Sequence, residues 1–197
     1  VFFWILLILI IFILSFKFDF YIVRFFSGIR NYYLTQFLLG AAFLSSNIII
    51  FFVLTTLFLW NEKKRRWVFP LWLTMFFSIL ISYGLKIVFQ RPRPFEIGIV
   101  EPILIEEFSK WNYSFPSFQS MLVFSAIPIL SKEFPKFKYF WIVFAAIIAL
   151  SRVYLGVHYL SDVVAGALIG LIIGIFIVHK ENYNKTWSRI YNSLFKK

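Results

Sequence analysis

The chain has no cysteine and only two histidines among its 197 residues. Disulfides, thiolate metal sites and a histidine-rich metal centre are excluded. Charge is scarce as well, at 15% of residues, and acids are scarcer still, nine against 20 Lys and Arg. What is plentiful is apolar. Hydrophobic residues make up 61% and aromatics 23%, against roughly 45–50% apolar in a soluble domain. These proportions point to an integral membrane protein whose surroundings are the lipid bilayer. The formal charge of +11 could suit nucleic acid, but the cations lie mostly at the ends of apolar runs, where topology signals and anionic headgroups account for them. No nucleic-acid partner is expected.

The order of apolar runs predicts an all-α, polytopic membrane protein of six transmembrane helices, forming one domain over residues 1–197. Val1 to about Phe16 reads as a first helix trimmed at its start, since a span needs ~20 residues; a signal peptide is the rival reading, but no small-residue cleavage site follows. Phe18 to Tyr33 mixes aromatics with Asp19, Arg24 and Arg30 and suits a segment lying along the headgroups. Leu34 to Trp60 is long enough to span with tilt, and Trp67 to Val88 spans again. Phe95 to Phe115, with Lys110, Trp111 and Tyr113, reads as an interfacial connection. Ser117 to Leu130 predicts a fourth helix kinked at Pro128, Tyr139 to about Leu155 a fifth, and Leu160 to Val178 a sixth. Ala165, Gly166, Ala167, Gly170 and Gly174 let that sixth helix pack closely. His179 to Lys197 reads as a basic tail.

The segments after the second, fourth and sixth helices hold four, three and five of the 20 Lys and Arg residues. By the positive-inside rule those ends, and both termini, face the cytoplasm. Lys86 to Pro94, Pro116 to Gln119, Ser151 to His158, and Asp162 then meet on the opposite, periplasmic face. An ionisable side chain inside a membrane costs at least ~2.5–3.5 kcal/mol, so this cluster is a site by default. Lys86, Arg93 and Arg152 bring three cations, and Ser117 brings a hydroxyl beside the free N–H groups of a helix start, a set that suits phosphate. His158 is the one side chain there able to act as a nucleophile near neutral pH, and Asp162, four residues on, can accept from one ring nitrogen and leave the other free. Taken singly, each has a plainer reading: Lys86 as a snorkelling lysine, Asp162 and Ser117 as helix caps, His158 as a packed interfacial histidine. Their joint spacing favours the phosphate site. Arg91 and Lys110 read as headgroup contacts.

Lys86, six residues, then Arg93-Pro94; Pro116-Ser117; and Ser151-Arg152, five residues, His158, three residues, Asp162 resemble the three signature motifs of the type 2 phosphatidic acid phosphatase superfamily. The resemblance implies a metal-independent phosphohistidine mechanism, with His158 as nucleophile, Asp162 as its orienting partner, and Lys86, Arg93, Ser117 and Arg152 holding the phosphate. It departs at the second motif, where Phe118-Gln119 stand in place of Gly-His. The family's histidine there protonates the leaving oxygen, and a carboxamide cannot, so the chain as written is expected to bind substrate and turn over poorly. The expected substrate is a lipid phosphate, with lipid A 1-phosphate, undecaprenyl diphosphate, phosphatidylglycerophosphate and phosphatidic acid as candidates, processed at the outer face of a bacterial inner membrane. Transfer to an alcohol acceptor, or silent binding of a lipid phosphate, are the alternatives.

Overall fold

The structure is a computed structural model that describes residues 2–47, 53–57, 59–60, 65–103 and 112–195. It is all-α. The named helices are α1 (Phe2–Gly28), α2 (Tyr32–Ser46), α3 (Val68–Phe89), α4 (Phe118–Glu133), α5 (Lys138–Tyr154), α6 (Leu160–Asn184) and α7 (Thr186–Phe195), with 3-10 turns at Arg65–Trp67 and Pro135–Phe137. A short helical stretch at 53–57 adds an eighth. Among the described residues, α3, α5 with the turn before it, and α6 are long and apolar enough to cross a membrane.

The polarity of α3 is arranged for lipid. Thr74, Ser78, Ser82 and Lys86 recur every fourth residue and are buried, while Phe69, Trp72, Phe76, Leu80, Tyr83 and Ile87 are exposed. Thr74 Oγ1 donates to the Leu71 carbonyl at 2.8 Å and Ser78 Oγ to the Thr74 carbonyl at 2.7 Å, so these hydroxyls are satisfied within their own helix. Apolar side chains gain nothing by leaving lipid, so small and polar groups take the helix–helix face. The stripe ends on Lys86, one turn before Gln90 closes the helix in a left-handed conformation. The prolines of Arg91-Pro92-Arg93-Pro94 forbid its continuation.

At the centre α4 lies along α6. A Cβ built on Gly166, Gly170 or Gly174 would fall 2.4, 2.3 and 2.3 Å from the carbonyl oxygens of Ser117, Met121 and Ser125, so only glycine permits this approach. The small-residue stripe foreseen in the sequence thus has a definite partner. Pro128 lies inside α4, against Gly174.

Three expectations are corrected. Phe18 to Tyr33 is no separate surface segment: α1 runs unbroken to Gly28, and Asp19 is buried because partners on α6 and beyond α3 satisfy it. The second span does not run from Leu34 to Trp60 as one described helix, since α2 ends at Ser46 with Asn47 as its C-cap. The sixth helix does not end at Val178: α6 continues to Asn184, Lys185 turns the chain at φ 48°, and α7 follows as far as Phe195. Glu181 caps it, its Oε2 accepting from Trp187 N at 2.8 Å and Ser188 N at 3.2 Å. Lys63, Lys64, Lys110 and Trp111 lie outside the described residues.

Candidate active site

One end of the bundle gathers the polar residues singled out by the sequence. Lys86 arrives on the last turn of α3, Arg93 on the Pro-rich exit that follows, Ser117 at the N-cap of α4, Arg152 on the last turn of α5, and Asp162 on the first turn of α6. Lys86, Arg93, Ser117, Arg152, His158 and Asp162 are each no more than 2% exposed. Burial of so many ionisable groups in a membrane protein demands mutual compensation, and the contacts supply it.

His158 sits in the short turn between α5 and α6. Gly156 makes the turn possible at φ 80°, a conformation that side-chain-bearing residues rarely adopt. Val157 and His158 donate their backbone N–H groups to the Arg152 carbonyl, both at 3.2 Å. Arg30, from the α1–α2 turn, clamps the same segment: its Nε and Nη2 donate to the Tyr154 carbonyl at 3.1 and 2.9 Å, and its Nη1 to the Glu101 carbonyl at 2.8 Å.

The two ring nitrogens of His158 meet different surroundings. Nε2 is 3.4 Å from Arg93 Nη1. Nδ1 is 3.5 Å from Ser114 Oγ and 3.6 Å from Asp162 Oδ2, a charge-pair distance slightly too long for a hydrogen bond. Asp162 Oδ2 accepts from Ser114 Oγ at 2.5 Å and from Tyr159 N at 2.9 Å. Burial first, and then the charges of Arg93, Lys86 and Arg152, hold the His158 imidazole well below its usual range, so it is neutral at physiological pH. A neutral imidazole whose Nδ1 faces a carboxylate and a hydroxyl keeps its proton on that side, leaving the Nε2 lone pair directed at the cations.

Arg93 and Lys86 are held by main-chain carbonyls and one side-chain amide oxygen. Arg93 donates from Nε to the Asn112 carbonyl at 3.0 Å, from Nη1 to the Val157 carbonyl at 2.8 Å, and from Nη2 to Asn112 Oδ1 at 3.2 Å. Lys86 Nζ donates to the Tyr113 carbonyl. These acceptors are neutral oxygens, which the oxygens of an arriving anion can replace.

Sequence reasoning missed four participants: Asp19, Arg91, Ser114 and Ser161. Arg91, expected among headgroups, instead donates from Nη1 to Asp162 Oδ1 and from Nη2 to Asp19 Oδ2, both at 2.7 Å, and it stacks 3.9 Å from the Tyr159 ring centroid. Burial pulls its guanidinium pKa down, but Asp162 and Asp19 outweigh that and the net shift is upward. The available signal was Asp19 itself, since an acid deep in an apolar helix requires a partner. Phe118 opens α4 and packs on the main apolar cluster. Gln119 is half-buried one residue later, and among the described contacts none joins its carboxamide to His158. A 220 Å³ recess between α2, α4 and α5 is apolar and lies at the other half of the bundle, away from these groups.

Comparison with known proteins agrees with this arrangement. Residues 67–186, more than half of the chain, match the family model for the PAP2 superfamily. The undecaprenyl-diphosphatase of Sulfolobus acidocaldarius is 30% identical over 129 residues, covering 65% of this chain and 62% of that protein, so the chain spans about three fifths of that relative's length. The crystal structure of Aquifex aeolicus LpxE superposes with a TM-score of 0.63 at 30% identity, over 80% of this chain and 92% of that one. A transmembrane PAP2-type phosphatidylglycerolphosphate phosphatase from Bacillus subtilis gives a TM-score of 0.73 over 91% and 96% at 24% identity, a likeness of fold. All three signature segments fall inside the matched region, and Lys86, Arg93, Arg152 and Asp162 from the first and third stand around His158; the chain is a multi-pass membrane protein that belongs to the PAP2 superfamily.

Proposed function

We propose that the protein is a lipid phosphatase that removes phosphate from a membrane-held phosphate ester or diphosphate through a phosphohistidine, without a metal. The observation that carries this is the asymmetry around His158: carboxylate and hydroxyl on Nδ1, arginine on Nε2, and a neutral imidazole between them. Nε2 attacks phosphorus, the P–O bond to the lipid breaks, and the leaving oxygen takes a proton from solvent; water then attacks the phosphohistidine, the P–N bond breaks, and inorganic phosphate leaves as that water returns a proton to solvent and the neutral imidazole is restored. Lys86, Arg93 and Arg152 stabilise the charge gathered on the phosphoryl oxygens, with the N–H groups that follow Ser117 as further donors. The Arg93 and Lys86 contacts to carbonyl oxygens give way to phosphate oxygens when substrate enters.

Undecaprenyl diphosphate is the first substrate to try, since a relative 30% identical bears that activity in its name, with lipid A 1-phosphate and phosphatidylglycerophosphate next. The reading places a single unit of six membrane-crossing helices in a bacterial inner membrane, its site toward the periplasm and both termini in the cytoplasm. Gln119 stands where the leaving oxygen needs an acid, and general acid catalysis is worth roughly 10²–10⁴-fold. The chain is therefore slow as written, and Gln119→His restores it. Phosphate release from those three lipids in detergent micelles tests this, comparing the chain with Gln119→His and with Gln119→His plus His158→Ala. Turnover gained with the first change and lost with the second supports the phosphatase. Lipid binding without release from any variant refutes it and favours a silent lipid-phosphate binder or transfer to an alcohol acceptor, the readings that Gln119 also motivates.

A further inference from the structure

The buried charges behind His158 extend further than its own motif requires. Asp162 uses Oδ2 toward the imidazole, Ser114 and the Tyr159 amide, while its Oδ1 is taken up by Arg91. Arg91 then reaches across to α1, where Asp19 Oδ2 accepts from its Nη2 at 2.7 Å. The loop closes through Ser161, whose amide donates to Asp19 Oδ1 at 2.9 Å and whose hydroxyl donates to Asp19 Oδ2 at 2.5 Å, with Arg91 Nη1 2.6 Å from the same hydroxyl. Asp19 is 4% exposed, and it lies outside residues 67–186, the stretch that carries the family match.

We propose that Asp19 and Arg91 are positioning residues for the His158–Asp162 pair, making α1 part of the catalytic apparatus. An acid serving only to pin α1 against α6 would need nothing beyond the Ser161 amide and hydroxyl. Asp19 instead faces a planar guanidinium whose other nitrogen holds the carboxylate behind the nucleophile. Arginine's fork can grip two carboxylates in fixed geometry where an ammonium would be a single point of charge. The division of charge matters too. With Asp19 present, Arg91 shares its positive charge between two acids, and Asp162 keeps enough negative charge to hold the proton on Nδ1 and to stabilise the cationic ring formed when Nε2 is phosphorylated. Without Asp19, the whole guanidinium falls on Asp162 and draws that support away from the imidazole. The substrate side, around Nε2 and Arg93, is untouched.

This inference rests on His158 as nucleophile, and its test separates the two. Asp19→Asn is the informative variant, since the amide oxygen still accepts from Ser161 N, while the Oδ2 position becomes a neutral N–H donor that can no longer accept from Arg91 Nη2 or the Ser161 hydroxyl. The chain has two histidines, so ¹⁵N-histidine-labelled protein in micelles gives two imidazoles, assigned with His179→Asn. Asp19→Asn should lower the ratio of Nδ1–H to Nε2–H tautomer at His158 at least about twofold. In the Gln119→His background it should lower kcat about tenfold while KM stays within about twofold, as loss of an orienting partner does. An unchanged tautomer ratio in folded protein overturns the proposal, as does a raised KM with kcat unaltered. Absence of turnover in the Gln119→His background counts against the phosphatase reading, and the tautomer ratio then decides this one alone. Should Asp19→Asn fail to fold, Arg91→Lys keeps the charge and loses the fork; kcat and tautomer ratio equal to the parent's would refute the role.

Discussion

Replacing Gly166 by alanine sets a methyl carbon 2.4 Å from the Ser117 carbonyl oxygen and 3.2 Å from both Met121 N and Ser120 Cβ. Ordinary contact begins near 3.4 Å, so α4 must retreat from α6 by about 1 Å, and overpacking of this kind costs about 1–3 kcal/mol. For a chain of this size that corresponds to a fall in Tm of roughly 2–12 °C. Gly170 and Gly174 face main-chain oxygens as closely, at 2.3 Å each, so their alanine variants should lose similar stability. Catalysis separates them. Gly166 abuts Ser117, whose amide donates to the Asp162 carbonyl at 3.0 Å, and a misplacement of ~1 Å at a reacting site can cost ~10²-fold. Gly174 abuts Ser125 and Pro128, two turns deeper into the bundle. In the Gln119→His background, Gly166→Ala should lower kcat by one to two orders of magnitude, and Gly174→Ala should leave it within about threefold. Gly84→Ala is the control: nothing lies within 4 Å of its added Cβ, and alanine's helix preference makes its Tm equal or slightly higher. Thermal unfolding in detergent, with phosphate release at a temperature where all variants are folded, reads both quantities. Gly166→Ala with an unchanged Tm, or Gly174→Ala losing as much turnover as Gly166→Ala, would refute the reasoning.

Arg30→Ala removes the clamp on the Tyr154 and Glu101 carbonyls; hydrogen exchange at residues 155–158 should speed up and kcat should fall several-fold, with KM little changed. His158 is buried neutral with a lowered pKa, so below about pH 6.5 the unfolded chain binds a proton that the folded chain does not. Its contribution therefore destabilises the fold as pH drops, by up to ~1.4 kcal/mol per unit until the folded group titrates; His158→Gln should flatten this part of the stability–pH curve, and an unaltered slope would count against the buried neutral form. Glu181→Ala deletes the acceptor for the Trp187 and Ser188 amides; loss of a cap costs about 1 kcal/mol, so exchange protection at 187–188 should drop while phosphate release from the Gln119→His background stays unchanged.

The sequence alone singled out Lys86, Arg93, Arg152 and Asp162, which the bundle gathers around His158. Proline pairs end α3 after Lys86, Ser117 opens α4 where a cap is expected, and the four-residue step from His158 to Asp162 sets the carboxylate behind the ring. Each of these is a rule of local backbone geometry, acting over a few residues, so it survives without knowledge of the fold. The all-α membrane class was legible for a similar reason, because span length and apolar composition are properties of a single segment. The tertiary structure decided what distance along the chain conceals. Asp19 and Arg91 are 72 residues apart, and neither has a local pattern that separates a catalytic neighbour from a headgroup contact, so α1 was misread as ending where its charges begin. Arg30 meets Tyr154 across 124 residues, and Ser114 stands before a familiar motif with no spacing to mark it. The glycines of α6 announced close packing but not its partner. A buried charge advertises its need for compensation in the sequence, but which opposite charge answers it depends on how the helices are arranged around it, and only the assembled bundle fixes that.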